Sequence, residues 1–208
     1  MKDKYLNRFL LVMLAYCLFI LIPAGCQNKS YYQIEGHLPN ASGDGEFIYL
    51  VPFEDAVKER VDSTRIENNK FLFEGTVQIP EIFILRTRPL LRLKLQPLLV
   101  VKEPGRINVK IDSTSSACGT ALNDSLQHWK DKKIEFDRQQ NRLRQKYRSA
   151  DDSVKTEIKQ RAEHLKEQVE NYQFNFIKNN RKNAVGKMVF KMEGTTFTPD
   201  QKKELGFQ

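Results

Sequence analysis

The chain has 208 residues, of which 40% are hydrophobic, and its net charge at pH 7 is +8. This length predicts about one domain behind a leader, and the hydrophobic content is sufficient for a packed core. A basic balance can indicate nucleic acid or an anionic membrane as partner. Because acidic residues are interspersed with the basic ones, as in residues 130–149, the pattern favours solvated helix faces, and no nucleic-acid partner is predicted.

Residues 1–25 have the pattern of a secretory signal peptide. The basic start "MKDKYLNR" precedes an apolar run, Phe9–Ile22, of fourteen residues. A membrane-spanning helix needs ~20 such residues, so this run is short for a span. Pro23 then ends the helix, and the small residues "AG" precede Cys26. A basic start, a short apolar core and a small-residue exit together indicate an exported protein.

The exit "AGC" resembles the lipobox of bacterial lipoproteins, although Pro23 stands where that family usually has Leu. The resemblance implies that the Cys26 thiol receives a diacylglyceryl group and that the leader is cut just before it. It also implies an acylated amino terminus, and several acyl chains anchor a protein firmly to a bilayer. The expected location is the cell envelope, on a membrane facing the periplasm, with surface exposure left open. An ordinary signal peptide and an uncleaved anchor are the alternatives.

The segment from Tyr31 to about Asp112 is predicted to form a β-sandwich or a barrel-like sheet. Short alternating apolar and polar runs are separated by turn signals such as "PNASGDG", "ENN" and "EPG", which is typical of all-β modules. The Asn residues of "ENN" favour a hairpin turn because Asn adopts positive φ readily. The predicted strands are residues 31–38, 46–52, 61–66, 70–77, 81–88 and 90–95, and two more within 97–111.

The segment after Thr120 is predicted to be helical, with Asn123 or Asp124 as the first helix cap. Two apolar stripes at steps of three and four predict an antiparallel helical hairpin, broken at "SADDS". Each stripe is expected to cover its partner helix or the open face of the sheet. The stripes comprise Leu126, Trp129, Phe136, Leu143 and Tyr147, and then Val154, Ile158, Ala162, Leu165, Val169, Tyr172 and Phe176.

Two shorter helices are predicted after the hairpin. The first contains "KMVFKM", and the second begins with Thr198 as its cap, Pro199 at its first position and Gln201 completing a capping box. The whole pattern predicts an α+β fold. Its predicted parts are a signal peptide (1–25), a β-sandwich domain (26–114) and a helical hairpin segment packed on or beside it (115–208).

The cysteines and histidines do not form a recognisable chemical motif. Cys17 leaves with the leader and Cys26 is the predicted lipidation site, so Cys118 remains without an intramolecular partner. We expect Cys118 to be a small buried residue, since free Cys often behaves as a hydrophobe. The sequence has no zinc-type Cys spacing. No metal, cofactor or catalytic residue is predicted, and the three scattered histidines are His37, His128 and His164.

Several pieces of the β segment resemble a known family. These pieces are "YQIEGHL" (32–38), "FIYL" (47–50), "VDSTRIENNKFLFEG" (61–75), "PEIFIL" (80–85), "VKEPGRINVKI" (101–111) and "CGTALND" (118–124). They resemble the uncharacterised N-terminal domain of bacterial lipoproteins related to thiol-disulfide and alkyl hydroperoxide reductases. The segment "NFIKNNRKNAVGKMVF" (175–190) resembles the stretch that connects this domain to a thioredoxin-like domain.

That resemblance implies a reductase domain, which would need about 100 further residues and a W-C-x-x-C motif that the sequence does not contain. The family usually has a small residue such as Ser at the position of Cys118, so no redox role is transferred to it. The expectation is therefore a stand-alone or shortened form.

The leading functional hypothesis is a lipid-anchored envelope protein that acts as a non-catalytic binding or docking module for an envelope partner. The alternative is a truncated or accessory part of a thiol-disulfide oxidoreductase system, with Cys118 forming mixed disulfides. A third hypothesis is a carbohydrate or other ligand stacked on exposed aromatic side chains, for which the candidates are Tyr31, Tyr32, Tyr49 and Trp129.

Overall fold

A computed structural model describes residues 30–39, 43–87 and 95–207 of the chain. In these residues eight strands precede four α-helices. The strands are β1 (Ser30–His37), β2 (Phe47–Pro52), β3 (Asp62–Arg65), β4 (Lys70–Val77), β5 (Glu81–Thr87), β6 (Leu98–Lys102), β7 (Gly105–Lys110) and β8 (Ser116–Cys118). The helices are α1 (Ala121–Ser149), α2 (Asp152–Asn180), α3 (Ala184–Glu193) and α4 (Pro199–Leu205).

The strands form two four-stranded sheets that pack as a sandwich and do not close into a barrel. The first sheet has the order β4-β1-β7-β8, and the second has the order β3-β2-β5-β6. Neighbouring strands are antiparallel, except that β1 and β7 run parallel. The predicted α+β fold, with an antiparallel-rich β module followed by a helical hairpin and a short C-terminal helix, is confirmed.

The predicted turn at "ENN" forms, and it connects the two sheets, whereas the predicted turn "PNASGDG" lies partly outside the described residues. Asn68 and Asn69 adopt positive φ values of 52° and 58°, as the sequence "ENN" predicts. Because β3 pairs with β2 while β4 pairs with β1, this turn carries the chain from the second sheet to the first. The predicted strand at 90–95 falls largely outside the described residues, and β8 is a strand that the sequence did not predict.

The main core lies between the two sheets. Alternate residues of the strands face inward, so β4 shows the pattern of buried Phe71 and Phe73 between exposed neighbours. The glycine at position 36 makes room for the ring of Phe71, which would overlap a Cβ atom there. Burial of such large side chains contributes about 1.5–3 kcal/mol each. The remaining inward residues include Ile34, Ile48, Leu50, Leu85, Leu98, Val100, Ile107 and Val109.

A second core lies between the outer face of the second sheet and the helices. Ile82 of β5 and Val101 of β6 point away from the first core and pack with Leu126, Trp129 and Ile177. The predicted stripes therefore cover the sheet near the start of α1. Towards the far end of the hairpin Leu143, Tyr147 and Val154 are more exposed, because each 29-residue helix is about 43 Å long and there only the partner helix covers the stripe. Ile158 and Leu165 remain buried between the two helices.

A buried carboxylate fixes the start of α1. Glu103, in the turn between β6 and β7, is buried. Its Oε1 accepts hydrogen bonds from the Thr120 hydroxyl (2.6 Å), the Leu122 backbone N–H (2.9 Å) and the Asn123 backbone N–H (3.0 Å). The first N–H groups of a helix have no partner within it, and an anion is favourable at that end. The cap of α1 is thus supplied by a residue from another part of the chain.

Asn123 has a different role from the predicted one. It lies inside α1, and its amide faces the free edge of β6. Its Oδ1 accepts from the Val101 N–H (2.9 Å), and its Nδ2 donates to the Val101 carbonyl (2.8 Å). The side chain thus takes the place of a neighbouring strand at this edge. Asp124 accepts a hydrogen bond from the Gly119 N–H at 2.9 Å, so it stabilises the approach to the helix.

The sheet-to-helix crossing requires a glycine. Gly119 has φ of +105°, and a Cβ atom there would lie 2.7 Å from the carbonyl oxygen of Arg106. Any other residue would therefore strain the backbone and collide with β7. This explains why the piece "CGTALND" contains Gly immediately before the helix.

Lys130 of α1 carries a buried amine in the helical layer. Its Nζ is buried and has no hydrogen-bond partner among the described residues. Burial lowers the pKa of Lys130 to about 8, and Asp131 acts in the opposite direction. The charged form is therefore less favourable in the folded protein than in the unfolded chain.

We predict that Glu103→Gln lowers the free energy of unfolding by about 2–3 kcal/mol, since hydrogen bonds to charged groups each contribute about 1.5–3 kcal/mol. Urea denaturation can follow the emission of Trp129, the single tryptophan of the chain. The control is Glu59→Gln, at an exposed carboxylate, which should change stability by less than about 0.5 kcal/mol. Equal effects of the two substitutions would contradict the role assigned to Glu103.

We predict that Lys130→Met stabilises the protein at pH 7 by roughly 3 kcal/mol and that this gain disappears by about pH 10.5. The pKa of Lys130 is about 8 in the folded protein, against an ordinary lysine value of 10.5, so between these values the unfolded chain binds more protons. The difference in free energy of unfolding between the variant and the wild type therefore becomes smaller as the pH rises. Denaturation midpoints from about pH 7 to 10.5 measure the difference, with Lys203→Met at an exposed lysine as control. A pH-independent difference would refute the prediction.

Candidate functional site

The outer face of the first sheet is open to solvent. The inward-facing side chains of this sheet fill the sandwich core. The helices pack against β5, β6 and β8. A groove of about 710 Å³ lies over this outer face, bordered by β3 and the turn after it. Its outward-facing lining residues are Glu35, His37, Lys70, Leu72, Asn108, Lys110, Ser116 and Cys118.

Strand pairing brings three basic side chains into one line across the groove. Lys70 of β4 is opposite His37 of β1, and His37 is opposite Lys110 of β7. Ser116 of β8 pairs with Lys110 and completes the line. We call Lys70, His37 and Lys110 the basic row. Two ammonium groups and an imidazole thus face the same side of the sheet, where they can donate hydrogen bonds to an acidic ligand.

The neighbouring positions of the groove contain acidic and neutral groups. Arg106 forms an ion pair with Glu35. The Lys110 Nζ lies 3.2 Å from Asp112 Oδ2, and the hydrogen bond from the Ser113 backbone N–H, together with Lys110, lowers the pKa of Asp112. The basic row is therefore flanked by carboxylates. Recognition of an acidic ligand depends on where its charged groups lie relative to these carboxylates, as well as on the total charge of the groove.

Cys118 is exposed, so the expectation of a buried thiol is wrong. The cause is the alternation of β8: Ala117 points into the core at 2% exposure, and Cys118 points out into the groove. Cys118 is opposite Asn108, whereas His37 lies two strands away and one row further on. Strand spacings place these two side chains at about 12 Å, which is too far for an imidazole to activate the thiol.

The aromatic candidates divide into two groups. Tyr32 and Trp129 are core residues, so they are not stacking platforms. Tyr49 is half-buried. Tyr31 is exposed on the outer face of the first sheet, and its hydroxyl donates to Glu74 Oε2 at 2.6 Å, which raises the pKa of Tyr31. Tyr31 is thus the one of the four whose ring is largely accessible.

A second cavity of about 420 Å³ lies at the opposite end of the sandwich, next to the connection between α2 and α3. Its lining includes Ile79 and Arg60 from loops of the β domain, and Lys182 and Lys187 from the helical segment. Arg60 is held by Glu81 at 2.8 Å. The cavity combines apolar surface with exposed lysines.

Other site classes receive no support from the described residues. Within 30–39, 43–87 and 95–207 no group of three or more His, Cys, Asp or Glu residues is placed to hold a metal ion. Among the helices in these ranges, none has the length and apolarity needed to cross a membrane. The predicted lipidation site, Cys26, lies outside the described residues.

The basic row is not predicted from the sequence, because its members come from three strands and meet only through non-local pairing. A partial signal was present: each member occupies an outward position in a strand whose alternate residues are buried. That pattern identifies the face but not the register between strands.

The fold defines a β-sandwich with an attached helical layer, a class of module with no fixed activity. Residues 32–126 match the model of a protein family described as Domain of unknown function (DUF4369). The match extends from β1 to the first turns of α1, so it includes both Glu103 and Asn123. No curated protein and no solved structure matches the chain.

We predict that Cys118 reacts with a thiol reagent in the folded protein. The full chain with Cys17→Ser and Cys26→Ser retains Cys118 as its single thiol, and it should react with a chromogenic disulfide without denaturant. The matched control adds Cys118→Ser and Ala117→Cys, which moves the thiol to the buried neighbouring position and should react only on unfolding. Protection of Cys118 in the native state would contradict the exposed geometry.

Proposed function

We propose that the protein is a lipid-anchored cell-envelope module that binds a ligand or partner through the groove on its first sheet. The observation that carries the binding role is the basic row, three basic side chains aligned across an open groove of about 710 Å³. The anchoring rests on the leader and on Cys26 in "AGC". The membrane, through the acyl chains on Cys26, is one partner, and an envelope protein with acidic groups is the other.

The chemistry of the groove favours binding over catalysis. The basic row offers ammonium and imidazole donors, and Ser116 and Asn108 add neutral hydrogen-bonding groups beside them. Leu72 supplies apolar surface at 41% exposure. Such a combination of a few polar groups with accessible apolar area is typical of recognition surfaces. Because the groove has the make-up of a recognition surface, the proposed role is non-catalytic binding.

We predict that a photo-activated cross-linker placed at position 72 of the full-length protein, in its native envelope, gives a reproducible adduct. Leu72 is opposite Glu35, in the row next to the basic row, so a bound partner should contact it. Lys70→Glu together with Lys110→Glu should abolish the adduct by reversing the charge of the row. Intact mass of the purified protein should show that the leader is absent and Cys26 acylated.

The control places the same cross-linker at position 154, an exposed apolar site near the beginning of α2. No adduct, or the same adducts from positions 72 and 154, would refute binding in the groove. Retention of the leader or an unacylated Cys26 would separately refute the anchoring.

The second candidate function is an accessory role in a thiol-disulfide system, and the exposure of Cys118 in the groove favours it. The Cys118 thiolate would then attack a disulfide of the partner, releasing one partner thiol and holding the partner through a mixed disulfide. In that case the native envelope should contain an adduct that is lost on reduction and in Cys118→Ser, without any cross-linker. Absence of such a species would remove this candidate.

A further inference from the structure

The pairing of β1 fixes where an anchor at Cys26 would approach the fold. Ser30, the first residue of β1, is opposite Val77 at the end of β4. Ser30 lies four residues after Cys26, and four residues span at most about 14 Å. An acylated Cys26 therefore keeps the bilayer surface close to this end of the sandwich, which we call the anchor end.

The anchor end carries the two most exposed large aliphatic side chains among the described residues. Ile79, in the turn that follows β4, is 72% exposed, and Val57, in the loop 53–61, is 51% exposed. The turn and the loop meet at this end, because the Phe53 N–H donates to the Ile82 carbonyl at 3.0 Å. Arg60 also bonds Glu81 at 2.8 Å. Two separate loops thus present apolar tips on the side from which the tether departs.

Basic residues border these apolar tips. Lys58 lies next to Val57, and Lys182 and Lys187 line the same cavity as Ile79, together with Glu54, Asp55 and Glu81. Glu54 and Glu81 are paired with Lys191 and Arg60. All three lysines are exposed, and none forms an ion pair with another described residue at this end. Exposed apolar residues beside lysines suit the boundary between anionic headgroups and acyl chains.

We infer that the anchor end is a membrane-contact surface, in which Ile79 and Val57 enter the headgroup region and Lys58, Lys182 and Lys187 contact anionic lipid phosphates. This inference rests on the proposed acylation of Cys26. It also sets the orientation of the binding groove. His37 is seven residues along β1 from Ser30, about 23 Å at the usual rise, so the basic row is held away from the bilayer.

The test uses full-length protein acylated in a bacterial host and reconstituted in vesicles of phosphatidylethanolamine and phosphatidylglycerol. An environment-sensitive dye is attached through Ile79→Cys in a Cys118→Ser background. The matched control carries the dye through Leu72→Cys, another exposed apolar position, in the groove. We expect the emission at position 79 to shift to the blue and to be quenched by spin-labelled lipid. The dye at position 72 should remain in water and be quenched by iodide.

Two further readouts separate the possible failures. Flotation and intact mass of the same preparation report acylation independently of the dye. Acylated, floating protein with an aqueous signal at position 79 overturns the membrane-contact surface and leaves the anchoring intact, whereas missing acyl groups overturn both. Lys182→Glu with Lys187→Glu should reduce the blue shift, and an unchanged shift in this variant would overturn the role of the lysines.

Discussion

The arrangement of the whole protein depends on the junction that Glu103 and Asn123 form between strand and helix. Glu103 holds the first N–H groups of α1, while Asn123 pairs with the free edge of β6 at Val101. Each partner would be costly to bury alone, since an unsatisfied polar group costs about 1–3 kcal/mol. Together they make one direction of α1 favourable, and this direction places the helical layer on the second sheet.

The asymmetry of the two sheets follows from that direction. The β5 and β6 side of the second sheet is covered on both faces, by the first sheet and by the helices, and β6 accordingly reads "LLVVK", a nearly continuous apolar run. The first sheet is covered on one face, and its strands alternate between core and polar residues. The groove and the basic row exist because the helices pack elsewhere. The family match, which ends at Leu126, covers the residues that set the direction of α1.

Local patterns in the sequence were sufficient for most of the elements. The turn at Asn68 and Asn69 and the capping box of α4, with both of its hydrogen bonds between Thr198 and Gln201, are decided by neighbouring residues and were predicted. Non-local features were not. The three residues of β8 are too few for a periodic signal. The cap supplied by Glu103 comes from a distant turn, and the exposure of Cys118 depends on the pairing of β8 with β7.

The parallel pairing of β1 with β7 has a consequence for how the chain reaches its fold. Ile34 is opposite Ile107, seventy-three residues further along, so the central strand of the first sheet is synthesised long before one of its two neighbours. Such distant contacts make folding slow. Until β7 arrives, one edge of β1 is an unpaired template for foreign strands. Nascent protein should therefore be vulnerable to aggregation during this interval, and it is the kind of client that holding chaperones protect.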